Sequence, residues 1–181
     1  MLLSLDISTS CTGWCVFNED NFRSTGYINL SKHKGLFEKA HRVKIALLDL
    51  LVEHDIKEVV VEENLQAFRP GLSSAKTLMT LAQFNGVVRW ICYSDLKVPV
   101  SKMNVNTARK NVGLKIDRKS TLTTKEQVLK WVSIDEPSID FPTREITRGK
   151  NAGTIRPIAE CFDMADAYVI GKSFLIEKLK K

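Results

Sequence analysis

The first seven residues, MLLSLDI, read as a buried strand that carries a carboxylate, Asp6, inside its apolar run. An isolated buried carboxylate costs far more free energy than a short strand supplies, so Asp6 must be neutralised, paired or bound to a cation. Any fold open to this chain therefore has to bring a partner to the end of its first strand.

The segments that follow show where such partners could come from. TGWCVFNED and FRSTGYINL carry aromatic and β-branched residues around an Asn/Asp/Glu turn, which predicts an antiparallel meander of three strands with the first segment. From Leu36 the apolar residues Phe37, Ala40, Val43, Leu47, Leu50 and Leu51 keep the rhythm of a helix packed on one face. IKEVVVEEN is a short apolar strand, buried on both faces, that ends in Glu62 and Glu63. Residues 73–93 are apolar nearly all round and predict a helix buried between layers or at a subunit contact. LKVPVSKMN supplies a fifth strand, with Pro99 placing it near an edge. A short helix in NVNTARKNVGL and a longer one in KSTLTTKEQVLKWV, with apolar Leu122, Val128, Leu129 and Val132, come next. Residues 133–158 have no sustained period and read as a basic loop. A final helix begins near Pro157, with Cys161, Met164, Ala165 and Tyr168 on one stripe and Glu160, Asp163 and Asp166 on another side. The order β-β-β-α-β-α-β-α predicts an α/β fold with a central mixed five-stranded sheet flanked by helices.

At 181 residues and 44% apolar composition the chain can bury one sizeable core, so a single domain over 1–181 is expected. The net charge of +6 suits a polyanionic partner, although such a surplus also serves solubility. Cys11, Cys15, Cys92 and Cys161 lie in apolar segments without a CxxC pair or zinc spacing, and read as buried free thiols of a reducing compartment. No apolar run reaches the ~18 residues of a membrane span, and the first acid comes too early for a signal peptide. The expected setting is cytoplasmic, in a bacterial or phage-infected cell.

Asp6, Glu62, Asp163 and Asp166 repel one another if they converge, and a hard divalent cation with oxygen ligands is the usual remedy. The chemistry this suits is two-metal phosphoryl hydrolysis. Each signal taken alone has a plainer counterpart. An Asp-x-x-Asp on a helix also describes a solvated face, a strand-terminal Glu is often exposed, and a strand Asp before Ser/Thr/Gly also opens a nucleotide-binding turn.

Taken in order, the motifs resemble the RuvC Holliday junction resolvases of the ribonuclease H-like superfamily, in particular the phage-encoded branch found in lactococcal phages. LSLDISTSCTGW resembles the first-strand motif, VVVEEN the fourth-strand motif, FDMADAYVIG the closing Asp-x-x-Asp helix, and TTKEQVLKWV the start of a lysine-bearing helix. The resemblance runs from Leu3 to Gly171. It implies a ribonuclease H-like fold and metal-binding catalytic acids at Asp6, Glu62, Asp163 and Asp166, with two Mg²⁺ ions per site, Mn²⁺ substituting. Glu62 is preferred to Glu63 because it directly follows Val61, and strand neighbours point to opposite faces. Lys125 would stabilise charge on the scissile phosphate. Lys102, Arg109, Lys110, Lys119, Arg144, Arg148 and Lys150 are candidates for DNA backbone contacts; for each, a solvated surface cation is the plainer role.

The implied activity is a homodimeric endonuclease that cuts branched DNA and leaves 5′-phosphate ends, with helix 73–93 as the candidate dimer contact. Two departures from the bacterial pattern stand out. AECFDMAD puts Glu160 where a His or Asn often precedes the last acids, and the basic stretch with Arg144, Arg148, Lys150 and Arg156 is longer. A broader taste for forks and three-way junctions follows. Three other readings compete: a DNA-branch binding protein without catalysis, an actin-like ATP-binding protein, for which the chain is short and poor in glycine, and a ribonuclease H acting on RNA–DNA hybrids.

Overall fold

The computed structural model of the protein describes residues 1–63 and 75–180. Strands β1 (Leu2–Ile7), β2 (Cys11–Asn18) and β3 (Asn21–Asn29) form the expected antiparallel meander. Helix α1 (Leu36–Glu53) crosses over to β4 (Glu58–Glu62), which pairs parallel with β1, and β5 (Val100–Met103) pairs parallel with β4. The sheet order is β3-β2-β1-β4-β5, so it is mixed and five-stranded and β5 is an edge, with Pro99 immediately before it.

Side chains alternate across these strands, and the two faces take different cover. Leu3, Leu5, Val16, Val59 and Val61 point to α1 and to α2 (Ala75–Trp90). Leu2, Cys15, Phe17, Val60 and Met103 point to α3 (Val105–Asn111), α4 (Thr124–Asp135) and α5 (Glu160–Leu179). The α5 axis lies against β1, β2, β3 and β4. Two glycines permit that approach: a Cβ at Gly13 would run into the backbone of Asp163, and one at Gly171 into Phe17 and the Ser4 hydroxyl. Buried Ser4 donates its hydroxyl hydrogen to Ala167 O at 2.7 Å, fixing the depth of the helix.

Several expectations need correction. Within the region expected to be loop, β6 (Thr143–Glu145) and β7 (Ile155–Pro157) pair as an antiparallel hairpin, and Pro157 belongs to this hairpin while α5 starts at Glu160. Strands of three exposed residues have no apolar alternation to reveal them. Of the two places expected for the apolar helix, a buried layer is not what α2 occupies: among the described residues it buries Phe84, Asn85 and Val88 and leaves Met79 and Trp90 exposed. Past Trp90 the chain widens into a single π turn over Ile91–Asp95, and residues 73 and 74 lie outside the described residues. Phe37 is exposed on the first turn of α1, and Leu122 precedes α4 instead of packing under it.

Gly13 and Gly171 have replaceable side-chain space only at the expense of α5. Gly13→Ala is expected to lose about 1–3 kcal/mol or more through overpacking against backbone, which a thermal melt would read as a fall in Tm of roughly 2–10 °C.

Candidate active site

Asp6 lies near the end of β1 on the face turned to α5, the same face as Leu2 and Ser4. The β1–β4 register pairs Leu5 with Val61, so the next residues along, Asp6 and Glu62, are side by side, and their like charges repel. Helix α5, seated on Gly13, brings Asp163 and Asp166 to the same place. Asp6 and Asp166 are each 8% exposed, deep enough for charge to be costly. Burial is the main force that raises the pKa of Asp6 well above the usual carboxylate range, followed by repulsion from Glu62 and Asp166. Burial also raises Asp163 and Asp166, against the pull of Lys125 and Arg109 respectively.

The cations arrive on well-anchored helices. Asn104 caps α3 by accepting hydrogen bonds from Asn106 N and Thr107 N. Asn111 ties the other end of α3 to Ser173 and Glu177 of α5. Arg109, between these anchors, donates from Nη2 to Asp166 Oδ1 at 3.3 Å, and its buried Nε has no hydrogen-bond partner. Thr123 and Glu126 form a capping box at the start of α4, which sets Lys125 in the first turn with its Nζ 3.6 Å from Asp163 Oδ1. Tyr168 donates to Asp135 at 2.8 Å and Lys172 pairs with the same carboxylate, locking α4 onto α5.

The remaining sequence candidates are distributed differently. Glu63 sits on the opposite face from Glu62, with Lys102 Nζ 3.8 Å away, so Lys102 is separated from the acid cluster by the sheet. Glu160 accepts a hydrogen bond from Asn29 Nδ2 at 2.8 Å at the rim. Lys110, Lys119, Arg144, Arg148 and Lys150 are exposed and outside the cluster. Arg109, read from the sequence as a backbone contact, instead stands in the cluster. Cys11, which the sequence reading placed only as a buried thiol, neighbours Asp163, and burial, then the charge of that acid, pushes its thiol pKa up.

Among the described residues, no three His, Cys, Asp or Glu side chains stand at the spacing that would close around a metal ion. The donor chemistry nonetheless fits a hard cation. The donors are carboxylates without an imidazole, and Arg109 and Lys125 pair with only two of the four acids, which leaves a role for further positive charge.

No protein-family model matches the sequence, and a search of curated proteins finds no significant relative. Solved structures do match. RuvC of Thermus thermophilus in complex with a Holliday junction substrate superposes with a TM-score of 0.66 at 16% identity, covering 99% of this chain and 94% of that one. The chain has the ribonuclease H-like fold of RuvC. A second Thermus thermophilus RuvC structure gives 0.63 at 16% identity, with 99% and 95% coverage. The yeast mitochondrial Holliday junction resolvase gives 0.56 at 16% identity, covering 99% of this chain and 79% of that one. The RuvC-like fold spans the meander, the crossover and the closing α5 helix alike. No helix among the described residues is long and apolar enough to cross a membrane.

An acid with a raised folded-state pKa favours the fold while protonated; that contribution is full below the ordinary carboxylate value and is lost as pH rises through the raised one. Metal-free protein should therefore lose stability from Asp6, Asp163 and Asp166 as pH climbs above about 4. Asp6→Asn keeps a donor for Glu62 without the charge. Its Tm in EDTA should exceed that of the wild type by a margin that grows between pH 5 and pH 8. A constant or shrinking margin would mean that Asp6 is not held against its neighbours' charge.

Proposed function

We propose that the protein is a metal-dependent endonuclease for branched DNA, Holliday junctions among its substrates. The observation that carries this is the meeting of Asp6, Glu62, Asp163 and Asp166 on one face of a RuvC-like sheet. These four residues would hold two Mg²⁺ ions, with Mn²⁺ able to substitute, and the ions when bound supply Lewis acidity and an activated water. Lys125, whose ammonium extends from a capped helix end beside Asp163, would donate to a non-bridging oxygen of the scissile phosphate. Arg109 would keep Asp166 aimed into the site. Water oxygen attacks phosphorus, the P–O3′ bond breaks, and the products are a 3′-hydroxyl and a 5′-phosphate.

The proposal extends to the phage-encoded branch of the family and to a homodimer. Met79 and Trp90 on α2, with Tyr93 on the π turn, form an exposed apolar strip on the face remote from the acids, where a second copy would leave both sites open. Trp90→Glu is expected to shift the protein from dimer to monomer in sedimentation equilibrium. A wild-type monomer at micromolar concentration would remove this part of the proposal.

One observation favours the non-catalytic reading, a branch-binding protein: Asp166 and Asp163 are paired with Arg109 and Lys125, and among the described residues the acids do not close to metal spacing. Incubation of four-way, three-way, forked and linear duplex DNA with Mg²⁺ separates the two. The nuclease should cut branched substrates, and Asp6→Asn should lose activity by at least about 100-fold. Binding without cutting by the wild type would select the alternative.

A further inference from the structure

Beside the acid cluster, but not part of it, a cleft of about 470 Å³ opens between α4, the start of α5 and the β6–β7 hairpin. Its floor is apolar, with Leu122, Leu129 and Phe162, and its walls carry Arg144, Arg156 and Lys130. Arg144 and Arg156 are direct cross-strand partners in the hairpin register. Like charges directly opposed across two strands are destabilising, and neither arginine has an ion pair among the described residues. Glu126 also borders the cleft, but its carboxylate accepts hydrogen bonds from the backbone N and hydroxyl of Thr123, both at 2.7 Å, as the helix cap. The hairpin thus presents two guanidinium groups to one cleft without a direct ion pair among the described residues; Arg156 acts at longer range on the capping carboxylate of Glu126, whose pKa it helps the Thr123 hydrogen bonds to lower. A phosphate there would accept from both and remove their repulsion.

The hollow between the arginines and the apolar floor is of the size that holds a small organic ligand. A base in a duplex hides its faces in the stack, so it cannot enter such a hollow, whereas an unpaired base can lay its face on apolar side chains. The cleft adjoins the acid cluster through two neighbouring residues. Phe162 lines it, Asp163 follows in the chain, and Lys125 stands 6.0 Å from the Phe162 ring centre and 3.6 Å from Asp163 Oδ1. We propose that this cleft is a second DNA site that takes one unpaired nucleotide next to the scissile phosphate, with Arg144 and Arg156 on its phosphate and its base on Leu122, Leu129 and Phe162. It selects branch points that carry single-stranded character, such as forks and flaps, over fully paired junctions. The assignment rests on the nuclease reading for the identity of the strand.

The test uses Arg144→Ala/Arg156→Ala; both residues are exposed on the hairpin, and a thermal melt checks that the fold is kept. Affinities are measured in EDTA by fluorescence anisotropy for a fork with single-stranded arms and for a fully paired four-way junction. The double variant should lose about tenfold or more on the fork and less than about threefold on the paired junction, the loss of stacking and phosphate contacts expected for a single-strand site. Equal losses on both probes would make the arginines a general backbone patch and overturn the assignment, as would no loss on either. Mg²⁺-dependent cleavage of the paired junction reports the other reading separately. Fork-selective loss in a protein that never cuts would keep the cleft and overturn the nuclease, and cutting without fork selectivity would do the reverse.

Discussion

The close seating of α5 on the sheet is the constraint on which the site depends. Asp163 can stand beside Asp6 only because position 13, the β2 partner of Asp6, has no side chain, and the helix can continue at that depth only because position 171 has none either. Ser4 then closes the contact through Ala167 O. Packing and chemistry are thus one problem here. Any gap of a side chain's width between β2 and α5 would move two of the four acids away from the other two, whatever their own environment.

That seating has an electrostatic cost. Four carboxylates near one another in a largely buried place are stable only with compensating charge, and the protein supplies it in two unlike forms, the Arg109 guanidinium and the Lys125 ammonium, while burial and repulsion push the Asp6 pKa up. Arg109 is 19% exposed and held between two helix anchors, so it acts as a fixed countercharge. Lys125 is 58% exposed on a flexible stem, so its charge is available to something arriving from solvent.

Much of this was legible in the residues. An acid inside MLLSLDI demanded a partner, period-two segments marked the meander, and the VVV run marked a strand covered on both faces; parity allowed only one of Glu62 and Glu63 to reach the cluster, the family resemblance chose Glu62, and Glu62 is on the α5 face. What was hidden is tertiary. Nothing local distinguishes Arg109 from the other exposed-looking cations, since its role comes from the α3–α5 contact. Gly13 and Gly171 look like any other glycine until the helix over them is known. The hairpin escaped because three-residue strands carry no period, and the place of α2 stayed open between a layer and a subunit contact because an apolar circumference does not say whether this chain or another covers it.

The two faces of the sheet consequently carry different work. The α1/α2 face holds the larger aliphatic core around Leu5, Val43, Leu47 and Val61, and turns its exposed apolar residues outward from α2. The opposite face gathers the acids, Arg109, Lys125 and the cationic hairpin. Because side chains alternate strictly along a strand, a one-residue register slip in β4 would carry Glu62 into the aliphatic core and Val61 into the acid cluster. Both errors are expensive, the first as a buried charge and the second as lost burial. The same alternation that separates the acids from the scaffold therefore also guards the register, and the acid-bearing face can tolerate its repulsion because the other face is wholly aliphatic where β1 and β4 meet.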